Sequence, residues 1–196
     1  MALASLIVAI VAALLAAASA VYTRHQAIAN ADMTAIEKRR LHAELTPQLN
    51  LYCAVPSGAS NVAAILSVEL AGPPGLGGLD EVTVRIRDDR PGRQPEPGSD
   101  LTQEQISATI WGPYRIDPRT DDADPSGRFC GPFQLSKNEP RRIVLAETTA
   151  PPRYRFDWRS DWAGKRVRVE ITCRDKEESW VVLRELEPER LSGRHI

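Results

Sequence analysis

Between His42 and His195 this chain contains no histidine. The gap removes the base of a Ser-His-Asp or Cys-His arrangement, and the usual ligand of a catalytic zinc, from most of the 196 residues. Of the three histidines present, His25 and His42 fall in a helix-forming N-terminal region. His195 is penultimate, a place rarely held to catalytic tolerance. Lysine is scarce as well, 4 residues against 21 arginines, and 25 basic residues meet 26 acidic ones. A net charge of -1 argues against the broad positive face of an electrostatic nucleic-acid binder, so no nucleic acid is expected as a partner. The three cysteines, Cys53, Cys130 and Cys173, are odd in number and have no metal-ligand spacing. Cys53 and Cys173 lie on the apolar side of predicted strands. They fit as small buried hydrophobes, or as a bonded pair in an oxidising compartment. The glycine-rich stretch GPPGLGG (72–78) has no following Lys-Ser/Thr and opens a strand, so it is a turn and not a phosphate cradle. No cofactor is expected.

What the chain does have is a long apolar run. Residues 3–21 (LASLIVAIVAALLAAASAV) carry no charge and no proline. As a helix they would reach about 28 Å, close to the hydrocarbon thickness of a bilayer. A cleaved signal peptide is the rival, because Ala18-Ser19-Ala20 has small-x-small form. The length of the run and the lack of a preceding Lys or Arg favour a retained anchor. Basic residues follow the run (Arg24, Lys38, Arg39, Arg40) and none precedes it, which puts the C-terminal body on the cytoplasmic side. The lipid bilayer is thus the partner of residues 3–21. Ser5, Ala9, Ala13 and Ala17 form a small-residue ridge that could pair two such helices in a homodimer, although an alanine-rich helix carries such a ridge almost unavoidably.

Residues 24–46 contain no glycine, and no proline before Pro47, and read as a juxtamembrane helical stalk. Thr46-Pro47 ends it, since proline turns the preceding residue away from helix. The body, residues 47–190, then alternates with period two. Leu49, Leu51 and Cys53, then Leu66, Val68 and Leu70, then Val82, Val84 and Ile86, then Val167, Val169, Ile171 and Cys173 each interleave with polar residues. Further strands are expected at 129–135, 141–146, 154–158 and 179–186. The expected fold is mainly β, an antiparallel immunoglobulin-like β-sandwich, with a tail at 191–196. From 89 to 128 the alternation lapses into an insertion, and long insertions often carry function. Within it, residues 101–111 read as a helix. Thr102 and Gln105 have capping-box spacing, Leu101 and Ile106 a hydrophobic staple, and Gly112-Pro113 a stop.

GPPGLGGLDEVTVRIRDDRPGR (72–93) and QISATIWGPYRIDP (105–118) follow an apolar span and a helix running into ELTPQLNLYC (44–53). In these motifs, which extend over most of its length, the chain resembles a group of uncharacterised actinobacterial single-span membrane proteins. The resemblance implies the anchor-stalk-body architecture and brings no activity, ligand or catalytic residue with it.

Three places could hold chemistry. Asp122, Asp124 and Ser126, with Gly127, imitate the first half of a calcium loop, but Phe133 stands where the bidentate Glu should be. The ordinary alternative is an Asp/Pro/Gly turn. Asp157 and Asp161 sit among aromatics and could suggest a hydrolase carboxylate pair, while Arg155 and Arg159 beside them would hold both acids ionised. Residues 153–174 hold seven basic residues against three acidic, together with Tyr154, Phe156, Trp158 and Trp162. Sharing an outer face, they would touch anionic lipid or an acidic partner; a solvated strand face is the plainer reading. The leading expectation is a membrane-anchored, non-catalytic module for protein-protein or membrane-surface contact, with Trp111, Tyr114, Arg155, Trp158, Arg159 and Trp162 as its interaction residues. The alternatives are an exported envelope-facing domain binding a ligand or calcium, and a hydrolase using the carboxylate pair.

Overall fold

The computed structural model describes residues 19, 22–27, 30, 33–34, 36–56, 63–89, 92–95, 100–152, 154 and 156–190, and the chain divides into two compact units, Met1–Leu45 and Thr46–Ile196. In the first unit residues 22–27 and 36–44 are helical, as their Ala, Glu, Lys and Arg content predicts. Arg40 Nε meets Glu44 Oε1 one turn on at 2.7 Å, with both side chains exposed. Such a pair adds only a few tenths of a kcal/mol. Among the described residues no helix is long and apolar enough to cross a membrane. The apolar run 3–21, apart from Ser19, lies outside them, and so does the ridge of Ser5, Ala9, Ala13 and Ala17.

The second unit is mainly β. Among the described residues its nine strands are β1 (Gln48–Val55), β2 (Ala64–Gly72), β3 (Gly78–Ile86), β4 (Tyr114–Ile116), β5 (Phe129–Ser136), β6 (Arg141–Glu147), β7 (Val167–Asp175), β8 (Glu178–Leu186) and β9 (Glu189–Arg190). They form two sheets, ordered β4-β6-β2-β1-β9 and β5-β3-β7-β8. Every pairing is antiparallel except the short parallel one between β1 and β9. The alternation in the sequence is the cause. Leu66, Val68 and Leu70 of β2, Ile143 and Leu145 of β6, Val82, Val84 and Ile86 of β3, and Val169, Ile171 and Cys173 of β7 are all essentially without solvent contact. Their polar neighbours in sequence face outward, so each strand contributes one apolar face to a sandwich-like core. GPPGLGG is the turn expected of it: β2 ends at Gly72, Leu76 N–H donates to the Pro73 carbonyl at 3.0 Å, and β3 starts at Gly78.

Among the described residues two helices interrupt the strands, α1 (Gln103–Ala108) and α2 (Trp158–Trp162). The capping box of α1 is present, with Gln105 N–H donating to Thr102 Oγ1 at 3.2 Å and Thr102 N–H to Gln105 Oε1 at 3.0 Å. The helix is shorter than the 101–111 expected. Its C-cap Thr109 is already extended, and Trp111 turns inward instead of closing a last turn. The expected strand at 154–158 is a correction. Tyr154 precedes a bend, and Asp157 caps α2 by accepting from the N–H groups of Arg159 and Ser160 at 3.2 and 3.5 Å. Alternating aromatic and basic residues imitate a strand there, and the cap overrides the pattern. Inside the insertion, the three residues of β4 pair with β6 and widen the first sheet.

Candidate functional site

The segment leaving β3 is tied down before α1 begins to matter. Asp88 accepts from the Trp111 N–H at 3.0 Å, and Asp89 N–H donates to the Trp111 carbonyl at 2.7 Å. Arg128, just before β5, donates from Nη1 to Asp88 Oδ2 at 3.2 Å and from Nη2 to the carbonyls of Ser107 and Thr109 at 2.7 and 2.8 Å. Those carbonyls belong to the last turn of α1, where helices lack internal partners, so one guanidinium fastens both ends of the insertion. Ile106 faces inward, and Leu101 packs beside it as the staple pattern requires. The Trp111 indole N–H donates to the Ile106 carbonyl at 2.9 Å, and the Arg93 guanidinium lies 4.0 Å above the Trp111 ring.

Against this unit packs the connection from β6 to β7. The Trp158 ring lies 5.3 Å from Trp111, 5.1 Å from Tyr154 and 5.7 Å from Trp162, all tilted or edge-on. Such pairs add about 1 kcal/mol each beyond the area they bury. Thr148 joins the two halves. Its hydroxyl donates to the Gly112 carbonyl and accepts from Trp158 Nε1 at 2.9 Å, and the residue is buried. Trp111 and Trp158 are therefore interior residues of a second, smaller core at the meeting of two loops.

The outer wall of this aromatic core is a cleft. Pro113, Tyr114, Glu147, Thr148, Trp158, Arg159 and Trp162 line a volume of about 270 Å³ between β4, the end of β6 and α2. Arg159 Nε and Glu147 Oε2, 3.2 Å apart and both largely exposed, form its rim. Burial pushes the Tyr114 phenol above its ordinary pKa. Trp162 Nε1 is buried and has no hydrogen-bond partner among the described residues, although the ring as a whole is only partly buried. No family model, curated protein or solved structure matches this chain. Of the six interaction residues expected from the sequence, Tyr114, Trp158, Arg159 and Trp162 come together there. Trp111 stands behind Trp158, and Arg155 lies outside the described residues. Thr148 and Glu147 were not singled out by sequence. Only the register that ends β6 at Glu147 brings them to the cleft.

The other candidates are placed elsewhere. Asp124 accepts from the N–H groups of Ser126 and Phe129 at 3.1 and 2.8 Å and from the Ser126 hydroxyl. Asp122, at a φ of 64°, pairs with Arg141 at 3.1 Å. These oxygens hold a turn closed, and among the described residues no group of three or more acidic, histidine or cysteine side chains is placed for a metal. Asp157 caps α2, and Asp161 accepts from the Tyr154 hydroxyl at 2.5 Å. The basic stretch is matched by acids from neighbouring elements: Arg168 meets Asp89 and Glu185, Arg174 meets Glu81, and Arg166 meets Glu187. All three cysteines are free and buried, and desolvation pushes the thiols to about 11 for Cys53 and Cys130 and about 12 for Cys173.

Proposed function

We propose that this chain is a membrane-tethered, non-catalytic interaction module whose cleft between β4, β6 and α2 receives an extended, proline-containing peptide segment. One observation carries the reading: Pro113, Tyr114, Trp158 and Trp162 line a single open-sided cleft with aromatic walls. Aromatic walls suit a polyproline II segment, which arrives already ordered and offers carbonyls with no internal hydrogen bonds. At about 270 Å³ the cleft lies at or below the usual range for small-molecule pockets, which favours a peptide laid across it over an engulfed ligand. The exposed Arg159–Glu147 pair at the rim offers charges of both signs to flanking side chains.

The immunoglobulin-like form of the sandwich is part of the same reading. In order, β4-β6-β2-β1 and β3-β7-β8 correspond to strands D-E-B-A and C-F-G of that fold, and β5 lies beside β3 in the C′ position. Here β4 comes before β5 in the chain, the reverse of the usual C′-then-D sequence, because the insertion supplies it. The tether is residues 3–21, and the basic residues after it support a body on the cytoplasmic side, where free thiols such as these three persist.

The test is a peptide array probed with the full chain in mild detergent, comparing wild type with Trp162→Ala. Retention on proline-rich peptides, lost in the variant at an unchanged melting temperature, is the expected result. Equal retention by both proteins, or none by wild type, would refute the cleft as a peptide site.

A further inference from the structure

Successive residues of a strand point to opposite faces of its sheet, so Tyr114 and Arg115 of β4 part company. Tyr114 walls the cleft, whereas Arg115 enters a second hollow of about 240 Å³, bounded by α1, the loop ahead of β5 and residues 148–152. None of the residues lining this hollow is acidic. The other arginines that serve the insertion and its neighbours each meet a carboxylate: Arg119 meets Asp117, Arg128 meets Asp88 and Arg141 meets Asp122. Arg115 meets none among the described residues. Asp117, two positions on, is held by Arg119, and Asp124 is occupied by Ser126 and by the Phe129 N–H. Ala146, directly across from Arg115 on β6, offers no charge.

We infer that this hollow is an oxyanion site, in which the Arg115 guanidinium receives the carboxylate or phosphate group of a small organic anion. An arginine on a sheet face ordinarily extends into water, but this one is held. Its stem lies along the backbone of Gly127, where an added Cβ would come within 3.4 Å of both Arg115 Cβ and Cδ. Arg115 Nε is buried with no hydrogen-bond partner among the described residues, while the two Nη nitrogens at the tip keep their access to the hollow. A partly desolvated guanidinium with unanswered donors is costly alone, and an oxyanion answers it with two parallel charge-assisted bonds. Two further donors stand in the same wall. Gln105, whose Oε1 already accepts from the Thr102 N–H at 3.0 Å, keeps its Nε2 hydrogens for another partner, and Thr149 contributes a hydroxyl. Ile110 and Pro151 add apolar surface beside them, suited to the carbon body of the anion. The volume is small for a whole cofactor and fits one oxyanion group with a few carbons attached. The site stands apart from the peptide cleft and does not depend on it.

The ¹⁵N-labelled full chain in mild detergent, titrated separately with benzoate and with phenyl phosphate, tests this, with chloride at matched ionic strength as the control. The expected result is a saturable movement of the Thr109, Ser126 and Thr149 amide resonances with at least one of the two anions, and none that saturates with chloride. The anion that saturates at the lower concentration tells carboxylate from phosphate. Arg115→Gln keeps most of the stem and removes the charge, so it should weaken binding roughly tenfold or more. Thr149→Glu leaves Arg115 in place and brings a carboxylate into the wall at an exposed position that the fold tolerates. It should weaken binding by as much, whereas Trp162→Ala should leave it unchanged. Movement with chloride equal to that with the organic anions, no saturation with either of them, or wild-type affinity in both Arg115→Gln and Thr149→Glu would overturn the proposal.

Discussion

Thr148 is the smallest side chain on which the two loops around the cleft depend, so Thr148→Val isolates their coupling. Valine keeps the shape and removes one hydroxyl. In the native protein that hydroxyl donates to the Gly112 carbonyl, which belongs to the insertion, and accepts from Trp158 Nε1 at 2.9 Å, which belongs to α2. Trp158 retains a second acceptor, the Thr148 carbonyl at 3.1 Å, so its indole is weakened and not orphaned. The Gly112 carbonyl loses this donor. A lost internal hydrogen bond is worth about 1 kcal/mol, and an unsatisfied buried acceptor adds about 1–2 more, giving about 2–3 kcal/mol in all. For a body of this size each kcal/mol moves the midpoint by about 2–4 °C, so a fall of roughly 4–12 °C is expected. The assay is thermal unfolding followed by far-ultraviolet dichroism and by tryptophan fluorescence, with Thr149→Val as the control, since Thr149 is exposed. A Thr148→Val midpoint no lower than that of Thr149→Val would refute the coupling.

Two other positions report on the same region. Gly127 has a φ of +73°, and a Cβ there would lie 2.4 Å from the Ile116 carbonyl oxygen, whereas Gly164 at +68° has open space. Gly164→Ala should cost about 1 kcal/mol from its left-handed conformation alone, and Gly127→Ala about 2 kcal/mol or more because backbone must also move; denaturant midpoints that fail to separate the two would contradict this. Asp117, buried at the end of β4, accepts from the Arg119 side chain at 2.6 Å and from its N–H at 2.9 Å, and these bonds hold its carboxyl down to about 2. A folded value below the ordinary one near 4 means stability present above about pH 4 and lost as pH falls toward 2. Asp117→Asn should therefore be less stable than wild type at neutral pH, with the gap closing between about pH 4 and 2. A gap independent of pH in urea melts would show that the charge contributes nothing.

The strands that build the core were legible because their burial is one-sided. β2, β3, β6, β7 and β8 all contain the alternation that a half-buried sheet imposes. β4 was hidden, since three residues carry no period and Tyr114–Ile116 becomes a strand only because β6 offers an edge. At 154–158 a period of two was present and misleading, and the decisive signal was Asp157 at a cap. The site was half legible. Its aromatic residues stand out by type, but their assembly depends on Thr148 and Arg128, which look unremarkable until β6 and β5 bring them beside the insertion. The apparent excess of arginine over 153–174 misled for a related reason. Asp89, Glu81 and Glu185 answer it from other elements, and a count along one segment omits them.

The most direct measurement uses the four indole N–H resonances of Trp111, Trp158, Trp162 and Trp180 in the ¹⁵N-labelled full chain, assigned by single substitutions and titrated with a short proline-rich peptide. Trp111 and Trp158 already donate within the protein, whereas the buried Trp162 N–H has no partner among the described residues and its ring walls the cleft. The expected result is a saturable movement of the Trp162 indole resonance as peptide covers its ring, a smaller one for Trp158, and none for Trp180 on β8. A titration in which the Trp162 resonance stays still while peptide binds, or in which no resonance moves, would contradict the cleft as the place where this protein meets its partner.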